Sequence, residues 1–181
     1  TITQKHQLGN PRPRLFRYPS VEAIVNRMGF NNDGAEAIAA RIARNYPRGK
    51  RPSPLGINLG KAKSTSLDMA IDDYIAIFKI VAEHADYIAI NVSSPNTSNL
   101  RSLQEAGRLD PLLRAIRETN DEFASKMGCN CVPVLLKISP DESFRSLDLI
   151  LELVFRHGID GIIATNSTVN RSDPNGKRCT E

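Results

Sequence analysis

Four short apolar runs in this sequence end in side chains that can do chemistry. Their exits read GINLGK (residues 56–61), AINVSSPN (89–96), LLKISPD (135–141) and IIATNSTVN (162–170). Asn91, Asn96 and Asn166 each carry two N–H donors and a carbonyl acceptor. Such groups suit a planar heterocycle with alternating C=O and N–H edges. Asn58 offers the same chemistry, or closes a turn, a common place for asparagine. Lys137 lies inside an apolar run, where a lysine needs an anionic partner. A carboxylate, a phosphate or a reduced flavin would serve, as would a structural carboxylate such as Asp141. Ser93 and Ser94 supply hydroxyls for proton handling, or cap a helix near residues 100–104. No Gly-x-Gly-x-x-Gly and no Walker lysine loop follows any of these runs, which argues against a Rossmann dinucleotide site or a P-loop.

Something must bring the four exits together. The apolar runs at 55–59, 87–92, 132–138 and 161–165 are short and continuous, as buried strands are. Between them the apolar spacing turns helical. Residues 68–85 place Met69, Ile71, Ile75, Phe78, Ile80 and Ala82 mostly on one side, with Asp72 and Asp73 elsewhere. Residues 111–123 carry Leu112, Leu113, Ile116 and Phe123. Residues 143–157 carry Phe144, Leu147, Ile150, Leu151, Val154 and Phe155, with Gly158 at the C-terminal cap. A further helix, 34–45, follows Asn32 or Asp33 as its cap. Strands alternating with helices predict parallel β/α units, because parallel neighbours need a long crossover. Strands apolar throughout predict that both strand faces are covered. The fold class is therefore α/β, as a doubly wound sheet or a (β/α)8 barrel, and in both the C-terminal strand ends share the ligand face. A fifth strand ends at residues 1–3. Residues 9–19, rich in proline and arginine, read as a long loop.

Composition narrows the classes. The 181 residues are 40% hydrophobic and 24% charged, enough for one domain with a core. The formal charge of +4 is scattered, densest at Arg12, Arg14 and Arg17, and only 6% of residues are aromatic, so no nucleic-acid partner is expected. Cys129, Cys131 and Cys179, with His6, His84 and His157, give neither a disulfide framework nor metal-ligand spacing; reduced thiols and no metal are expected. His157 falls in a last helical turn, where it favours the helix dipole, and like His84 is read as structural. No apolar run approaches the roughly 18 residues of a membrane span. The chain opens on Thr1 and closes on a polar tail, RSDPNGKRCTE, so a piece of a longer protein is expected.

Taken in order, the exits resemble the dihydroorotate dehydrogenase family, most closely its membrane-associated, quinone-reducing class 2. The resemblance rests on NPRPRLFR (10–17), NRMGFNN (26–32), GINLGK (56–61), DYIAINVSSPNT (86–97), LRSLQ (100–104), LLKISPD (135–141) and DGIIATNSTV (160–169). It covers nearly the whole chain in register. It implies a (β/α)8 TIM barrel, here an incomplete portion of about four to five β/α units. Residues 1–181 would be the central portion of one FMN-binding domain, without the N-terminal membrane and quinone helices or the C-terminal phosphate loops. It further implies oxidation of dihydroorotate to orotate in pyrimidine biosynthesis, with FMN as hydride acceptor and a quinone as oxidant. FMN contacts are implied at Thr1, Asn58, Asn91, Lys137 and Thr165. Substrate contacts are implied at Asn26, Arg27, Met28, Gly29, Phe30, Asn91, Asn96, Asn166 and Ser167. Ser94 is the implied base; the soluble class usually has cysteine there.

Two departures from the family stand in the sequence: Ser98-Asn99 where Pro-Gly is common, and Ser167 where threonine is usual. The resemblance also implies peripheral attachment, through segments not in this chain, to the bacterial inner membrane at its cytoplasmic face or to the mitochondrial inner membrane. Alternatives are another FMN-dependent barrel oxidoreductase, of dihydropyrimidine or dihydrouridine type, or a non-catalytic barrel fragment. Cut from such a barrel, the piece would have two open sheet edges and no phosphate anchor, so alone it is not expected to form an FMN-saturated enzyme.

Overall fold

The computed structural model describes residues 1–97 and 99–172. Ser98, of the Ser98-Asn99 departure, and Cys179 with the end of the polar tail lie outside the described residues. The elements run β1 (Leu15–Tyr18), β2 (Ala23–Asn26), α1 (Ala35–Asn45), β3 (Gly56–Leu59), α2 (Ala70–Val81), β4 (Tyr87–Asn91), α3 (Ala106–Met127), β5 (Val134–Lys137), α4 (Phe144–Arg156) and β6 (Gly161–Ile163).

Strands β3, β4, β5 and β6 form one parallel sheet in sequence order. That order separates the two predicted folds: a doubly wound sheet reverses at a switch point, whereas a barrel adds each strand beside the last. Ile2 adds a short parallel bridge outside β3, its N–H on Asn58 O at 2.7 Å and its carbonyl accepting from Gly60. The fifth strand is thus present as a bridge.

Burial alternates along β3 and β5, while β4 is buried continuously from Ile88 to Asn91. Ile57, Leu59, Ile88, Ile90, Val134 and Leu136 are buried, and pack with Tyr74, Phe78, Leu112 and Leu113 from the helices. The intervening positions of β3 and β5, Gly56, Asn58, Leu135 and Lys137, are only half-buried. One face therefore lies under helices; the other is covered at β4, as expected, but less so at β3 and β5. Truncating a fully buried leucine such as Leu113 to alanine costs about 2–5 kcal/mol, which sets the scale of this layer. Gly56 belongs to the other face: a Cβ there would lie 2.0 Å from Cζ of Tyr87.

Several local expectations change. Residues 9–19 are not all loop, since β1 pairs antiparallel with β2 through a turn at Pro19–Val21. Helix α3 begins at Ala106, with Pro111 inside it. Helix α1 is capped by Gly34 itself; Asn32 Oδ1 accepts the Gly34 N–H at 2.9 Å, and Asp33 pairs with Arg41. In α4 the buried face is Ile150, Leu153 and Val154, while Phe144 and Phe155 are 89% and 81% exposed. Asp73, expected outside, is buried because its Oδ2 accepts the Ala62 N–H at 2.8 Å. Ser143 caps α4 through Ser146 N, and Gly158 follows it in the left-handed region, as expected. His157 contacts Asp110 at 3.0 Å, pinning α4 to α3.

Candidate functional site

Parallel register sets Asn91 beside Lys137 and Asn58 beside Ala89, so the polar exits share the less covered face. Asn91, 2% exposed, is the hub. Its Nδ2 donates to Thr1 Oγ1 at 3.1 Å. Its Oδ1 accepts Ser93 N–H at 3.2 Å, Ser93 O–H at 3.1 Å and Asn166 Nδ2 at 3.2 Å. Asn166 Nδ2 also donates to Ser93 Oγ at 3.0 Å, and its Oδ1 accepts the Ser167 N–H at 2.8 Å. Thr1, Asn91, Ser93, Asn166 and Ser167 thus form one connected unit that spans the β4 and β6 exits and the start of the Ile2 bridge.

Ser94 is 5% exposed, and its Oγ accepts the Asn96 N–H at 3.3 Å. Neither Ser93 nor Ser94 caps the short helix Leu100–Gln104; that reading gives way because both side chains are held at the exit itself. Asn96 Nδ2 reaches across to Asn26 Oδ1 at 3.1 Å. The turn 26–30 is thereby joined to the β4 exit. Asn10 Nδ2 donates to Arg27 O at 2.9 Å, and Gln7 Nε2 to Gly29 O at 2.8 Å. Gly29 has φ +70°, and a Cβ there would meet the Asn10 amide at 2.8 Å, so both conformation and space call for glycine. Phe30 packs against Gly60. Arg27 and Met28 point elsewhere: the guanidinium lies 5.5 Å over the Phe16 ring, and Met28 borders a hollow with Arg12 to Leu15. A cavity of about 490 Å³ opens between the hairpin and the β6 exit, bordered by Asn26, Pro95, Asn96 and Ser167. A larger hollow, about 730 Å³, lies on the outer side along residues 6–14 and contains none of the predicted site residues.

Asn58 Oδ1 and Lys137 lack a protein partner among the described residues. Asn58 Oδ1 is buried without a hydrogen bond, and Asn58 sits within β3 instead of closing a turn. Lys137 makes no hydrogen bond or ion pair among the described residues. Asp141, its candidate structural partner, is taken up by Arg101 at 2.8 Å, Val169 N at 3.0 Å and the Thr168 hydroxyl. Burial pushes the Asp141 carboxyl up, but those hydrogen bonds and the arginine charge hold it below the usual value. A donor set of amides, one free acceptor and one unpaired cation fits a ring with N–H and C=O edges that becomes anionic. Thr165, exposed, borders this set and turns its hydroxyl to Asn166 O at 3.1 Å. No group of His, Cys, Asp and Glu among the described residues is arranged to hold a metal ion.

Sequence reasoning missed two supports, Tyr74 and Lys61, and one unpartnered hydroxyl, that of Thr97. Tyr74, fully buried on α2, donates to Asn91 O at 2.8 Å; burial raises its pKa and keeps it a neutral donor. Its signal was a tyrosine on an apolar helix, since a buried phenol needs a partner. Thr97 Oγ1 is buried and unpartnered just beyond Asn96. Lys61 is 2% exposed and donates to the carbonyls of Ala62 (2.9 Å) and Thr65; burial lowers its pKa, against the opposing charge of Asp73.

Sequential parallel strands with polar side chains gathered at their exits define part of a (β/α)8 barrel. The profile of the family described as dihydroorotate dehydrogenase matches residues 1–179. The chain is 49% identical over 176 residues to dihydroorotate dehydrogenase (quinone) of Chloroflexus aurantiacus, covering 97% of this chain and 48% of the relative. It is 44% identical over 177 residues to the protein of the same name in Delftia acidovorans, covering 97% and 51%. Among solved structures it is similar to DHODH from Eimeria tenella in complex with ferulenol, with TM-score 0.89, 33% identity, and 99% of this chain and 51% of that one covered. The chain belongs to the dihydroorotate dehydrogenase family of oxidoreductases, and it spans about half the length of the curated relatives it matches.

Proposed function

We propose that the protein containing this chain oxidises (S)-dihydroorotate to orotate with FMN and a quinone, in de novo pyrimidine biosynthesis. In this reading, residues 1–181 are the central portion of one FMN-binding barrel. Quinone and inner-membrane contacts come from segments outside them. The family is flavin-dependent. One observation carries the reading: a hydrogen-bonded unit of Asn91, Ser93 and Asn166 stands beside an unpaired Lys137 and an unpartnered Asn58 Oδ1.

Thr1, Asn58, Asn91, Lys137 and Thr165 would hold FMN, with the free Asn58 acceptor toward a ring N–H. When bound, FMN supplies the acceptor for the hydride that leaves C6 of the substrate. Ser94 takes the proton from C5, so that the C5–C6 single bond becomes double. A neutral serine is a weak base, so its hydroxyl must first pass its own proton on; the Asn96 N–H on its oxygen would stabilise the alkoxide that then takes the C5 proton. Lys137 places a fixed positive charge where negative charge accumulates. Asn26, Asn91, Asn96, Asn166 and Ser167, with the turn of Arg27, Met28, Gly29 and Phe30, hold the substrate ring face-on, the positioning that hydride transfer needs.

The test uses the complete purified protein. Dihydroorotate oxidation is followed with a quinone and, separately, with fumarate as acceptor, and the visible spectrum is recorded. A yellow protein active with quinone and not fumarate is expected. A colourless protein, or one served only by fumarate, refutes the proposal.

A further inference from the structure

We infer that Arg101 is a positioning residue that fixes the Ser94 segment against the substrate-binding exit of β6, with Asp141 as its anchor. This rests on the role proposed above for Ser94. Arg101 belongs to the short helix Leu100–Gln104, outside every strand. Its one guanidinium reaches three exits. Nε donates to Ser93 O at 3.3 Å, Nη1 to Asp141 Oδ2 at 2.8 Å and Nη2 to Ser167 O at 3.3 Å.

Each contact falls where orientation matters. The carbonyl of Ser93 belongs to the peptide plane that leads into Ser94, so holding that oxygen sets the direction in which the Ser94 side chain leaves the backbone. The carbonyl of Ser167 lies in the plane following the Asn166–Ser167 pair. Asp141 in turn binds the Thr168 hydroxyl and the Val169 N–H, and so grips the β6 exit a second time. The β4 and β6 exits are not neighbours, because β5 lies between them. Besides the Asn166 amide, this guanidinium is their bridge among the hydrogen bonds described here. A planar fork with several donors suits that geometry, whereas an ammonium on a flexible stem does not.

The neighbouring residue on the same short helix adds rigidity without reaching β6. Gln104, 2% exposed, accepts the Ser139 N–H at 2.9 Å and donates to Glu142 at 2.8 Å. The short helix is thus seated on the β5 exit, and Arg101 extends that seat to β4 and β6.

The test compares Arg101→Met, Arg101→Lys and Asp141→Asn in the complete protein, each also in a Ser94→Ala background. Single-turnover flavin reduction by dihydroorotate is expected to fall about 10–100-fold in Arg101→Met, the scale of a misplacement near 1 Å. Bound flavin should be unchanged. Arg101→Lys should recover only part of the rate, and Asp141→Asn should fall in the same direction by less. In the Ser94→Ala background, Arg101→Met should cost less than it does in the parent, because the part that acts through Ser94 is already lost. A rate within about threefold of the parent, or full additivity with Ser94→Ala, overturns the inference. Hydrogen exchange decides the clamp independently of activity: segments 92–97 and 164–170 should both exchange faster in Arg101→Met and Asp141→Asn. Unchanged exchange in both segments also overturns it. A parent protein inactive toward dihydroorotate would instead overturn the proposed function, with the exchange experiment still deciding the clamp.

Discussion

Replacing Asn91 by alanine should destabilise the complete protein far more than replacing Asn166, although the two amides are bonded to each other. Asn91 Oδ1 is the acceptor for the Ser93 N–H, and Ser93 is fully buried. Without it that backbone donor has no other partner, a penalty of about 1–3 kcal/mol. The bonds to Thr1 and Asn166 go as well, at a net of about 0.5–1.5 kcal/mol each, although Asn166 keeps Ser93 Oγ. A total of about 2–4 kcal/mol follows once partial relaxation is allowed. Asn166→Ala, by contrast, leaves Asn91 Oδ1 still accepting both Ser93 groups. The Ser167 N–H it frees is exposed to water, so about 0.5–1.5 kcal/mol is expected. Urea midpoints should be measured on protein stripped of small molecules, so that lost ligand binding does not add to the difference. If Asn166→Ala proves as costly as Asn91→Ala, or Asn91→Ala costs under about 1 kcal/mol, Asn91 is not the hub of this network.

Ser94→Ala should leave bound flavin intact and slow single-turnover reduction by about 10²–10⁴, the usual scale for a general base; near-normal reduction would remove Ser94 from that role. Lys137→Ala should lower both flavin content and reduction rate, since one cation serves both; normal values for both would make the lysine structural. Asp86 is held below the usual carboxylate value by the Leu55 N–H, against the opposing effect of burial, with Arg51 and Arg48 adding to the hold. A carboxyl depressed in the fold contributes stability that is present above its unfolded pKa of about 3.9 and lost as pH falls through the folded value. Thermal midpoints of Asp86→Asn should therefore lie below the parent at neutral pH and converge with it in acid; parallel pH curves would contradict this.

The layer of β3 to β6 and its helices was legible because two periods, continuous apolar runs and helical spacing, alternate cleanly along the chain. The amides gathered in the candidate site were legible because they stand at the ends of those runs. What escaped has a common cause. The β1–β2 hairpin is built from four-residue strands flanked by Pro13 and Pro19, and its pairing is seen only when both halves are set side by side. Helix α3 runs through Pro111, and the bond that the proline cannot make would have ended on the carbonyl of Gly107, an exposed residue. Tyr74 and Arg101 act on the exits from helices, through partners 17 and 66 residues away in the case of Asn91 and Ser167. Asp73 looked like a solvent-facing charge because its partner is a backbone N–H in a loop.

The alternation of burial along β3 and β5 has a consequence for how these segments can change in length. Odd and even positions serve separate tasks: Val134 and Leu136 hold the helices, while Leu135 and Lys137 look toward the site. Inserting or deleting one residue within β5 exchanges the two sets, placing the lysine among α3 and α4 side chains and a leucine beside Asn91. Substitution can adjust either set while sparing the other, but a single-residue change of length disrupts both together. Viable length variants of this strand should therefore differ by two residues, or confine their changes to the turns.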